Sequence, residues 1–61
     1  MNDLLTTNEV AELLRTTDST LRYWRYVGTG PKSAKLGRRV VYRRADVERW
    51  IEDQFSAERS A

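Results

Sequence analysis

Between residues 15 and 44 the chain carries nine basic side chains, Arg15, Arg22, Arg25, Lys32, Lys35, Arg38, Arg39, Arg43 and Arg44, against one acid, Asp18. Guanidinium groups offer several N–H donors in one plane and never lose their charge, so such a concentration is suited to binding oxyanions. The two flanks are acidic. Residues 1–14 hold Asp3, Glu9 and Glu12, and residues 45–61 hold five acids against Arg49 and Arg59, so a formal net charge of +2 conceals a one-sided field. A positive face of this kind attracts polyanions and speeds their encounter, and nucleic acid is the commonest of them. The bland alternative is a solvated basic surface with no partner.

Other chemistry has little to work with. The 61 residues contain no cysteine and no histidine, which removes disulfides, thiolate metal sites and the usual general bases. The acids lie mainly on helical segments rather than as a clustered pair, and no glycine-rich phosphate loop is present. An enzyme is therefore not expected, nor is a cofactor, a metal or a small-molecule ligand. No apolar run approaches a membrane span and no leader pattern is seen, so a soluble protein of the bacterial cytoplasm is expected. A domain this small buries only about 60% of its unfolded surface. Two Trp, three Tyr and one Phe supply bulk for its core.

The elements that position the basic residues can be read in order. Thr6-Thr7-Asn8-Glu9 is a capping box, so a first helix starts near residue 7, with Val10, Leu13 and Leu14 as its apolar stripe and Leu5 as a staple before the cap. It ends near Arg15. After a three-residue break, Thr17 or Asp18 caps a second helix that runs to about Val27, where Gly28 can take a left-handed conformation. Leu21 and Trp24 mark its buried face. Arg22 and Tyr26 point most directly away, flanked by Asp18, Ser19 and Arg25, with Tyr23 to the side, and Asp18 is placed to cap the helix or orient Arg22. Thr29-Gly30-Pro31 is turn material. Ala34-Lys35-Leu36 and Val40-Val41-Tyr42 then read as a β-hairpin around Gly37-Arg38-Arg39, with Leu36, Val40 and Tyr42 toward the core and Lys35, Arg38, Arg39 and Arg43 on a projecting basic wing. A last helix begins at Arg44 or Ala45, with Val47, Trp50 and Ile51 closing the core against Leu13, Leu21 and Trp24. The expected domain covers residues 1–55, followed by a frayed polar tail over residues 56–61.

Helix, tight turn, helix, basic hairpin, helix is the order of a winged helix-turn-helix, mainly α with a small hairpin. The segments LLTTNEVAELLRTTDSTLRYWR and KLGRRVVYRRADVERWI closely resemble the small excisionase-type DNA-binding proteins, whose fold is shared with the DNA-binding domain of MerR-like regulators. The resemblance spans residues 4 to 52. It implies that the second helix enters the major groove through Ser19, Thr20, Arg22, Tyr23, Arg25 and Tyr26. It also implies that the wing, through Lys35, Arg38 and Arg39, follows a minor groove or phosphate track, and Arg43, on the same wing by the hairpin pattern, is expected to join them. Residue types agree, since Arg can donate two hydrogen bonds to guanine and Ser or Thr can serve any base. Many relatives have Gly at the position of Arg15, so here the first helix must find its cap elsewhere or strain Arg15. Some excisionases carry a basic tail that engages the integrase, whereas this tail is short and acidic.

Each assignment has a structural alternative. Trp24, Trp50 and Leu21 read as core, Tyr23 and Tyr26 could pack on the scaffold, Arg38 and Arg39 could merely guard a hairpin edge, and Arg43 and Arg44 flank a helix start. The functional expectation is a phage or mobile-element excisionase, a recombination directionality factor, that binds repeated double-stranded DNA sites, associates with its neighbours along the DNA and bends it for an integrase. The alternative is a minimal transcriptional regulator of the same fold.

Overall fold

A computed structural model describes residues 3–60. The elements are β1 (Leu4–Thr6), α1 (Thr7–Leu13), α2 (Asp18–Val27), β2 (Ser33–Leu36), β3 (Arg39–Arg43) and α3 (Arg44–Ser60). This is a winged helix-turn-helix with three helices and one antiparallel sheet in the order β1-β3-β2. Residues 1, 2 and 61, which the expected domain and tail boundaries include, lie outside the described residues. Among the described residues no helix is long and apolar enough to cross a membrane.

The capping box forms as its spacing predicts. The Glu9 amide donates to Thr6 Oγ1 at 3.1 Å and the Thr6 amide donates to Glu9 Oε1 at 2.9 Å. What the sequence pattern does not reveal is β1. Leu5 stands before the cap not as a loose staple but as a strand residue, paired with Tyr42, and it is buried. Three residues are too few for a periodic signal, and their strand is defined by what β3 offers them. The Arg44 amide closes the pairing by donating to the Asp3 carbonyl at 2.7 Å.

Leu5, Val10, Ala11, Leu21, Tyr42 and Val47 make the core, with Leu14, Trp24, Val40 and Ile51 packed against it. Three expected core residues are absent from it: Trp50, which is half-buried and stacks on Trp24 at the edge of the core, Leu13 and Leu36. Leu13 is 45% exposed, because α1 turns Val10 and Ala11 inward instead. Leu36 is 55% exposed. The reason is register: the loop is two residues, Gly37 and Arg38, so Leu36 faces Arg39 and shares a sheet face with Val41, opposite the face bearing Val40 and Tyr42. A one-residue difference in turn length moves a side chain to the other face. Gly37 supplies the positive φ, 64°, at the first loop position, as expected. Helical backbone continues past Phe55 to Ser60, through the segment whose composition predicts fraying. Ala57, Glu58 and Arg59 are good helix formers, and no Gly or Pro interrupts them.

Helices α1 and α2 end in the same way with different residues. At α1, Arg15 N–H donates to the Glu12 carbonyl and Thr16 N–H to that of Ala11; at α2, Gly28 N–H donates to Arg25 and Thr29 N–H to Trp24. Both pairs make a Schellman closure, which needs a left-handed residue. Gly28 has φ 84° and Arg15 has φ 57°, the one non-glycine with positive φ among the described residues. The left-handed region costs an L-residue about 1–2 kcal/mol, so the Arg15 side chain is held in a strained position. Arg15→Gly should therefore stabilise the domain by about 1 kcal/mol, raising the melting temperature by about 4–8 °C. In the same thermal scan Gly28→Ala should lower it, through backbone conformation alone, since a Cβ there meets nothing within 4 Å.

Candidate nucleic-acid interface

Thr17 Oγ1 caps α2, accepting from the Thr20 amide at 3.2 Å and lying 3.1 Å from Thr20 Oγ1. Helix α2 thus starts firmly just before its exposed residues. Leu21 is fully buried and Trp24 stacks on Trp50 of α3, with ring centroids 5.5 Å apart and planes tilted by 41°. Burial of that side leaves Ser19, Arg22, Tyr23 and Tyr26 on the opposite side, with Tyr26 88% exposed and Tyr23 62%. So large an exposure of two aromatics decides against scaffold packing for both.

The other two expected helix residues stand at the edges of this face. Thr20 is half-buried and its hydroxyl is engaged with Thr17. Arg25 is exposed, and its charge acts on the Tyr42 phenol. Burial pushes that phenol above its ordinary value of 10.0, and the Arg25 charge opposes the rise.

Asp18 does not serve as a partner for Arg22. The Asn8 carboxamide lies against the Asp18 carboxylate and, with its nitrogen turned toward it, donates to Oδ1 at 2.7 Å. The contact ties the first turn of α2 to the first turn of α1, and Asn8 is a positioning residue that spacing along either helix alone does not expose. Beside it a shallow cleft lined by Thr6, Thr7, Asn8, Asp18, Arg39 and Val40 joins both helix starts to the wing.

Register divides the wing. Lys35 pairs with Val40 on the face that bears Tyr42, whereas Arg39 and Arg43 lie on the other, and Gly37-Arg38 form the tip. Lys35, Arg38 and Arg39 are all exposed. Arg43 differs: its Nε donates to Asp46 Oδ2 at 3.2 Å, across the start of α3.

The nine basic residues therefore divide by place. Arg15 borders a groove between the helices, Lys32 lies beside Asp46 and Asp53, Arg43 is paired with Asp46, and Arg44 lies beside Asp3 and Glu48. Arg22, Arg25, Lys35, Arg38 and Arg39 remain, and the fold assembles them as the exposed helix face and the wing. Exposed, rigidly based cations beside two accessible tyrosines can hold phosphates, read base edges and stack on bases or sugars.

Comparison with known proteins gives a consistent result. A family described as a helix-turn-helix domain matches residues 4–54. No curated protein matches.

The Tyr42 phenol is a built-in reporter of its own burial. Its neutral form is favoured in the fold, so the unfolded chain ionises first. Stability should be flat below about pH 10 and fall as the pH rises through 10 toward the higher folded value. Urea midpoints between pH 8 and 11 should show this decline in the parent protein and a shallower one in Tyr42→Phe.

Proposed function

The chain belongs to the helix-turn-helix domain family, a DNA-binding fold, and on that premise we propose that it is an excisionase, a recombination directionality factor of a phage or other mobile element. The observation that carries the reading is the convergence of Arg22, Arg25, Lys35, Arg38 and Arg39 on a recognition helix and a wing, in a domain whose residues are largely spent on presenting them. Helix α2 lies in the major groove, with Ser19 and Arg22 on base edges and Tyr23 and Tyr26 along the walls. Thr20 and Arg25 border the groove, Arg25 reaching phosphate beside the wing. The wing carries Arg38 and Arg39 into an adjacent minor groove, where a narrow A·T-rich stretch deepens the negative potential, and Lys35 follows the backbone. Arg43 contributes only where Asp46 releases it.

Such a factor needs no chemistry of its own. It binds repeated sites in double-stranded DNA and associates with its neighbours along the duplex. It pays for bending with phosphate contacts, and the integrase assembles on the bent form in the host cytoplasm. The similarity of LLTTNEVAELLRTTDSTLRYWR and KLGRRVVYRRADVERWI to excisionase-type proteins supports this role over other uses of the fold.

The experiment is affinity selection of fragmented DNA from the source element at moderate salt, with sequencing of the bound pieces. Clustered direct repeats beside an integrase attachment core are expected. Single or palindromic sites over a promoter would instead make the protein a transcriptional regulator. On the selected site, replacing both Arg38 and Arg39 by Ala should weaken binding to every sequence and flatten the salt dependence by roughly one unit of slope per lost phosphate contact. Arg22→Ala should cost about 1–3 kcal/mol, concentrated at one cognate base pair. Unchanged binding in both variants would overturn the surface assignment.

A further inference from the structure

The exposed side of α2 has a centre line as well as edges. At about 100° per residue, Leu21 and Trp24 fix the buried direction, and the opposite direction falls on Ser19 and Tyr26, with Arg22 and Tyr23 about 50° to either side. Accessibility follows the same order for the two rings, Tyr26 being 88% exposed and Tyr23 62%. Tyr26 is the most exposed large apolar side chain among the described residues. It stands one turn beyond Arg22, about 6 Å along the axis and about 40° round from it. On a helix lying in the major groove, a side chain on this line points at the groove floor rather than at a wall. Ser19 is short and leads, whereas Tyr26 is long and trails, so a helix that enters N-terminus first and tilts away keeps both in reach of the bases.

The residue types along the helix decide what it can read. From Asp18 to Val27 it holds no Asn, Gln, Glu or Lys. No amide side chain is there to make the two-bond pair with adenine, and the one acid that could accept from cytosine, Asp18, is engaged by Asn8. Thr20 shares its hydroxyl with Thr17. Arg22 suits guanine and Ser19 any base, so neither singles out thymine. The Tyr26 ring can. In the major groove thymine alone of the four bases presents a C5-methyl group, which is apolar and is recognised by apolar contact. We infer that Tyr26 reads a thymine through that methyl group, about two base pairs from the guanine bound by Arg22, the separation that an axial offset of about 6 Å spans at about 3.4 Å per base pair. The inference rests on the proposal that α2 lies in the major groove, and it moves Tyr26 from the wall of that groove to its floor. The ring, not the hydroxyl, is the reading group.

Uracil tests this, because it pairs with adenine as thymine does and lacks only the methyl group. The probe is the tightest-binding duplex selected from a pool of random sequence, resynthesised with each thymine in turn replaced by uracil. At one thymine the parent protein should lose affinity about fourfold, the contribution of one buried methyl group. That thymine should lie within about two base pairs of the guanine at which Arg22→Ala loses its preference. Tyr26→Ala should bind the thymine and uracil duplexes equally, whereas Tyr26→Phe, which keeps the ring, should retain the difference of about fourfold. The side chain is 88% exposed, so both variants retain the fold, which circular dichroism checks. A parent protein indifferent to uracil at every position would overturn the proposal. So would a difference that survives in Tyr26→Ala, which would give the contact to another residue, or one that disappears in Tyr26→Phe, which would give it to the hydroxyl. A pool that yields no enriched duplex would remove the DNA-binding reading and the proposal together, whereas an enriched duplex bound without regard to its methyl groups would remove the proposal alone.

Discussion

The burial of Tyr42 on the central strand is the constraint on which this small domain depends. Tyr42 is the largest fully buried side chain, and it is paired across the sheet with Leu5 on one side and Ser33 on the other. Leu5 leads directly into the capping box of α1, and Ser33 follows the turn that leaves α2. One ring therefore ties the wing to both ends of the helix-turn-helix. Val10, Leu21 and Val47, one from each helix, complete the buried set around it. Without disulfide or metal, the angle between recognition helix and wing is held by that packing and by the β1–β3 ladder.

Much of this arrangement was legible in the residues. Thr6 and Glu9, Thr17, Gly28 and Gly37 carry local signals whose stereochemistry admits few alternatives, and each takes the predicted place. The exposed face of α2 follows from Leu21 and Trp24 by helical periodicity. Less was legible where a side chain's fate depends on pairing at a distance. β1 exists because β3 offers it an edge, and Leu36 faces outward because the loop holds two residues rather than three. Arg15 illustrates a third case. Its position is marked by a missing glycine, and only the backbone shows that strain, rather than a different cap, resolves it.

For the candidate site, residue type identified more members than geometry retains in equal standing. Arg43 carries the same charge as Arg39 but shares it with Asp46, and Thr20 offers a hydroxyl already engaged by Thr17. Composition cannot see such local partners. It likewise missed Asn8, whose contact with Asp18 sets one helix start against the other. The basic segment of the chain is thus sorted by folding into five exposed cations on the helix face and the wing and three, Lys32, Arg43 and Arg44, that lie beside acids.

That sorting gives the molecule two electrical sides. With the bases on α2 and the wing, and acids concentrated on α1 and the outer half of α3, the domain carries a dipole that aligns it in the field of a polyanion before contact, so encounters arrive face first.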